Sequence, residues 1–156
     1  MTDTDLLPLI ISQAPSAGVP IGLARGIILT ESNGNPWAFR YESTYRWLAG
    51  TEAILTATER TGQMCSWGLM QIMGAVARGY GFKGYFPELC DPAINIQYGL
   101  QHLVHFHERY ENWLDTIAAY NAGRAIKVNG QEKYANQTYV DKVQAYWTAY
   151  DGSTSV

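Results

Sequence analysis

Residues 20–38 read PIGLARGIILTESNGNPWA. The stretch is an apolar helix with a punctuated end. Proline is tolerated in a helix's first turn, where its missing N–H would have had no partner anyway. Ile21, Ala24, Ile27 or Ile28, and Glu31 recur at three- and four-residue steps, so they share one face. Asn33, Gly34 and Pro36 then stop the helix. A carboxylate therefore closes a stripe that is otherwise apolar.

The same period runs outward in both directions. Leu6 or Leu7, Ile10 or Ile11, and Ala14 make a short first stripe, closed by Pro15 and Gly18. Leu69, Ile72, Met73, Val76 and Tyr80 predict a helix from Gly68, followed by the Gly-rich connector GYGFKGYFPELC. Asp91 then Pro92 supply an N-cap and a first-turn proline for a long helix whose stripe is Ala93, Ile96, Leu100, Leu103 and Val104. Another helix is expected from about Asn112 to Asn121, ending at Gly123. The last starts near Thr138 and buries Val140, Val143 and Trp147. Residues 40–66 mix polar and aromatic residues, with one helix expected after Thr51. No strand-like alternation is long enough to count. The expectation is one mainly α domain over 1–156, with a short flexible tail at 151–156.

The composition suits a packed core: 156 residues, 47% hydrophobic and 16% charged, enough for one globular domain. Eleven Tyr and five Trp offer flat apolar faces with polar tips, which serve cores and sugar-binding clefts alike. The net charge is -3 with no run of Lys or Arg, so a nucleic-acid footprint and a polybasic membrane patch are both missing. No apolar stretch is long enough to span a bilayer. The start, MTDTDLLPLI, carries acidic residues where a secretory signal needs basic ones. A chain without its own export signal and without membrane insertion is expected. Cys65 and Cys90 imply no disulfide framework and could pair or stay reduced.

Several chemistries lack their motifs. There is no phosphate loop, no dinucleotide-binding G-x-G-x-x-G, no G-x-S-x-G and no H-E-x-x-H. His102, His105 and His107 do not take the spacing of a zinc helix, and are expected as helix-surface or cleft-edge residues with no metal. Glu31 is different. A helix C-terminus carries partial negative charge and IIL supplies a dry lead-in, and both raise a carboxyl pKa. A carboxyl kept neutral is what a general acid on a glycosidic oxygen requires. Position alone leaves two readings open, an incidental surface carboxylate or that acid.

Four short words stand in order along the chain: ESNGNPWA at 31–38, SWGLMQIM at 66–73, AAYNAG at 118–123 and TYVDKV at 138–143. Together with LCDPAINIQYGLQHL they closely resemble the soluble lytic transglycosylases, a lysozyme-like family that cuts peptidoglycan, over roughly residues 18–148. The resemblance implies a lysozyme-like domain akin to goose-type lysozyme, with Glu31 as the single catalytic acid. It also implies that Gln71 and Met73 line the sugar cleft and that the Tyr120 hydroxyl orients the glutamate. Asn121 would hold the loop backbone and Tyr139 would close the same end of the cleft. Met70 is expected in the core and Ser32 as a cap on the turn.

The implied reaction cleaves the β-1,4 bond between N-acetylmuramic acid and N-acetylglucosamine, leaving 1,6-anhydromuramoyl ends, with no metal or cofactor. Its partner is the peptidoglycan glycan strand, met by a monomer. Since that substrate lies outside the cytoplasm, a phage- or prophage-type enzyme fits, released through a holin-type pore or carried in a virion. A domain of a longer exported protein fits equally. Two other readings are a muramidase on the same fold and an inactive wall-binding or structural module.

The chain departs from the family's pattern in one place. Forty positions separate Glu31 from Gln71, where the family's connector is much shorter, so an insertion falls at about 40–66. The substrate-contacting serine of that connector could align with Ser43, Gly62 or Ser66, and Ser66 is the candidate because it directly precedes WGLMQ. The insertion also brings Glu42, Glu52 and Glu59. One of these facing the cleft could hold a water and favour hydrolysis; solvated surface charge is the expected fate of all three.

Overall fold

The computed structural model describes residues 1–50, 55–128 and 132–154. Among these, the helices are α1 (Asp3–Gln13), α2 (Ile21–Glu31), α3 (Ala57–Gln63), α4 (Gly74–Gly79), α5 (Pro92–Tyr110), α6 (Trp113–Ala122) and α7 (Gln137–Thr154). A small antiparallel sheet is built from β1 (Phe39–Tyr41), β2 (Cys65–Trp67) and β3 (Ile72–Met73), in the order β1-β2-β3. Among the described residues, no helix is long and apolar enough to cross a membrane.

The helix ends follow from local chemistry. Asp91 accepts hydrogen bonds from the Ala93 and Ile94 amides and so opens α5. Asn112 does the same for α6 through the Leu114 and Asp115 amides, and Gly123, at φ 74°, closes it. α2 stops at Glu31, where the Ser32 hydroxyl donates to the Ile28 carbonyl and Asn33 and Gly34 turn left-handed. Ser32 thus caps the turn, as the sequence suggests. α7 remains helical through Thr154, where a tail from 151 was expected.

The main core lies between α1, α2, α5, α6 and α7. Leu6, Ile10, Ile27, Leu103, Ile117 and Val143 are all fully buried in it, each contributing roughly 1.5–3 kcal/mol by leaving water. Leu6 and Ile10 take the buried face of α1, while Ile11 faces solvent. In α5 the buried face is Asn95, Ile96, Gly99, Leu100, Leu103 and Phe106, and Ala93 lies outside it.

α2 and α7 run antiparallel at close range. A Cβ on Gly26 would come within 2.8 Å of the Val143 carbonyl, and one on Gly22 within 2.7 Å of the Trp147 ring. These two glycines let α7 settle against α2, and the register continues one turn on, setting Tyr139 opposite Glu31.

The sheet corrects two expectations. WGLMQIM was expected to be helical from Gly68; instead Gly68 and Gln71 adopt left-handed conformations, at φ 70° and 48°, and the helix starts only at Gly74. A tight turn between two short strands places Leu69, Ile72 and Met73 at helix-like steps by coincidence. Residues 40–66 contain strand as well as the expected helix α3. In the register, Arg40 pairs with Ser66 and Ser66 with Met73, while Phe39 pairs with Trp67 and Trp67 with Ile72. Side chains alternate across a strand, so Arg40, Ser66 and Met73 share one face. The other face packs Trp67 against Phe86 in a second, smaller core.

Candidate active site

Glu31 lines a cleft of about 950 Å³ between the sheet on one side and α5 and the end of α6 on the other. Ser66, Gln71, Met73, Tyr120 and Asn121 line the same cleft. Five cleft residues proposed from the sequence are therefore brought together around the proposed acid.

The carboxyl of Glu31 is held above the usual carboxylate range. Burial is the main cause, and Glu42 adds to it; the Tyr139 hydrogen bond and the Arg40 and Lys142 charges pull the other way. Desolvation of the charged form therefore wins. The Tyr139 hydroxyl donates to Glu31 Oε1 at 2.6 Å. Burial and the facing carboxylate push the Tyr139 phenol well above its ordinary pKa, so it stays a donor. With Oε1 accepting from Tyr139, the protonated form of Glu31 carries its proton on Oε2.

This pairing corrects the roles given to the two tyrosines. Tyr120 does not orient Glu31: its hydroxyl donates to the Met70 carbonyl at 2.8 Å, deep in the core. Tyr139 does not line the cleft; it grips the acid. The reason lies in the helix register, since α7 passes directly against α2, whereas Tyr120 on α6 points to the turn before β3. The i, i+4 series Tyr139, Val143, Trp147, set against Gly22 and Gly26, is the sequence signal that could have assigned Tyr139.

The turn carrying Gln71 is fixed from three sides. Asn95, fully buried on α5, accepts from the Met70 amide and donates to the Trp67 and Leu89 carbonyls. Tyr120 takes the Met70 carbonyl. Gln71 itself donates to the Ala38 and Gly68 carbonyls, and its Oε1 accepts from the Ser66 hydroxyl at 2.9 Å. A left-handed non-glycine residue costs energy and persists where its surroundings over-determine it. Gln71 meets that condition, and it presents its amide at the cleft in one orientation. Asn121 does not hold the loop backbone: its Oδ1 accepts from Asn136, which also donates to the Ala118 carbonyl and so ties α6 to the start of α7.

Sequence reasoning missed Arg40 in the cleft, whereas Glu42 and His102 were already named as residues that could face it or lie at its edge. Arg40 and Glu42 form an ion pair on the sheet side, and both line the cleft. Glu42 is thus a cleft residue, where solvated surface charge was expected. Glu59 is bound by Arg78, and Glu52 lies outside the described residues. His102 also lines the cleft, bonded to the Tyr80 hydroxyl, and burial and His105 hold its pKa down at about 4. His107 instead stacks on Trp113. Among the described residues no group of three or more His, Cys, Asp or Glu is placed to hold a metal ion. Cys65 and Cys90 are free, buried thiols.

Residues 8–142 match the family described as Transglycosylase SLT domain, which accounts for most of the chain and for a lysozyme-like fold. No curated protein matches the sequence.

Proposed function

We propose that this chain, which belongs to the transglycosylase SLT domain family, is a peptidoglycan lytic transglycosylase with Glu31 as its only proton-transfer group. Family membership supports lytic action on peptidoglycan. The observation that carries the finer reading is the Glu31 carboxyl, whose pKa burial raises and whose Oε1 Tyr139 holds.

The chemistry starts from the protonated form, which a raised pKa favours. Glu31 Oε2 gives its proton to the glycosidic oxygen between N-acetylmuramic acid and N-acetylglucosamine as that C–O bond breaks. The N-acetylglucosamine side leaves with a free hydroxyl, and the sugar's own acetamido oxygen stabilises the cationic muramoyl C1. Glu31, now ionised, removes the proton of the muramoyl 6-hydroxyl, whose oxygen closes onto C1. One carboxyl serves as acid and then as base, and no water is consumed. The Tyr139 hydroxyl favours the ionised form between the two steps, because a hydrogen bond to a charged oxygen is the stronger one.

The Arg40–Glu42 pair in the cleft favours a second reading, a muramidase. A carboxylate across from the acid could activate a water, as paired carboxylates do in glycoside hydrolases. In this protein Arg40 engages that carboxylate, which opposes such a role. Mass spectrometry of fragments released from purified sacculi distinguishes the two. Muramoyl ends one water lighter than reducing ends support transglycosylation; reducing ends alone assign the protein as a hydrolase.

A further inference from the structure

The loop that follows β1, residues 42–50, brings Tyr45 and Trp47 to the wall of the cleft that holds Glu31 and Gln71. The two rings meet edge to face, with centroids 5.4 Å apart. Trp47 is nevertheless 76% exposed. An indole so open contributes little to the core, yet the fold fixes the loop that carries it.

That fixing is done by a buried polar side chain. Gln63, 1% exposed, accepts from the Ala49 amide at 2.6 Å and donates to the Ala49 carbonyl at 3.0 Å. Its remaining N–H goes to Glu59, which Arg78 holds in turn. The Arg46 guanidinium bonds the Ser43 and Tyr45 carbonyls, and the Glu42 amide bonds Met64. A buried amide with every group satisfied gives one rigid arrangement. A rigid aromatic face binds without first losing conformational freedom.

We infer that the Tyr45–Trp47 pair is a saccharide subsite, contributed by the loop of residues 42–50 and continuous with the catalytic cleft. Its occupant is a pyranose ring of the glycan strand. Such a ring has an apolar C–H face matching an indole and a hydroxyl rim matching the wet edge of the loop. Gly123, Arg124 and Ile126 line the same cleft. Gln63 is a positioning residue for this subsite. The inference rests on reading the cleft as a glycan site, and the test separates the two.

The probe is a ladder of chito-oligosaccharides from disaccharide to hexasaccharide, titrated against the Glu31→Gln protein by calorimetry. Affinity is expected to rise with chain length. Adding Trp47→Ala should remove the gain for the longer members, roughly 2- to 10-fold, and leave the shortest unchanged. Trp47→Phe should retain most of the gain, and Gln63→Ala should lose it although Trp47 is intact. Equal affinity of the Trp47→Ala and parent proteins at every length overturns the subsite alone. In a parallel titration with peptide-bearing muropeptides, a loss seen there and not with the chito-oligosaccharides overturns it too, and assigns the platform to the stem peptide. If the parent binds no saccharide of any length, the glycan reading of the cleft falls and the subsite falls with it.

Discussion

Replacing Tyr139 by Phe removes one oxygen and little volume, and it isolates the contact that distinguishes this site. The lost bond is the 2.6 Å donation to Glu31 Oε1. Hydrogen bonds to charged groups are worth about 1.5–3 kcal/mol, and this one serves the ionised carboxylate. Since each 1.4 kcal/mol of barrier is tenfold in rate, kcat should fall roughly 10- to 100-fold, the loss falling on the half of the reaction in which Glu31 is charged. The pH profile carries a second signature. The rate falls as pH rises through the Glu31 pKa, because the protonated acid is lost. The Tyr139 hydroxyl is the strongest influence holding that pKa down against burial, so the alkaline limb of Tyr139→Phe should move to higher pH. The assay is clearing of purified sacculi across pH, with thermal unfolding as the control. An unchanged rate and limb would show that Tyr139 does not act on Glu31.

Tyr120→Phe should behave oppositely, leaving the limb in place while unfolding costs about 1–3 kcal/mol less, because the buried Met70 carbonyl loses its donor. Asn95→Ala removes the partner of the Met70 amide and the Trp67 carbonyl at the turn before β3 and of the Leu89 carbonyl ahead of α5, so about 2–3 kcal/mol of stability should be lost in denaturant titration. Arg40→Gln and Glu42→Gln should shift the alkaline limb in opposite directions, up and down respectively, since Arg40 lowers and Glu42 raises the Glu31 pKa. Glu31→Gln should match or exceed the wild-type Tm at neutral pH. A carboxyl whose folded pKa is raised loses stability as pH rises through it, so the difference should vanish once the medium is acidic enough to protonate the acid in both folded and unfolded chains.

Most of the helical frame was legible because its signals are local. Asp91–Pro92, Asn112 and Gly123 mark helix ends through their own side chains or backbone, and the stripes of α1, α2 and α7 repeat at the helical period. The sheet was hidden, since strands of three and two residues are too short to show alternation. Glu31 could be located because its position and its apolar approach are both sequence facts. The partner of Glu31 could not, because choosing between Tyr120 and Tyr139 requires knowing which helix lies against α2. Asn95 was hidden for a related reason: inside an apolar stripe, nothing local reveals that three separate backbone groups will converge on one amide. Glu42 needed the sheet register, which turns β1 and the loop behind it toward the cleft.

The central claim is that one neutral carboxyl carries out both proton transfers, and product analysis of wild type beside Glu31→Gln tests it most directly. Wild type should release fragments ending in 1,6-anhydromuramoyl groups, while a folded Glu31→Gln protein should release none. Release of the same anhydro ends by the Gln variant at a comparable rate would contradict the claim.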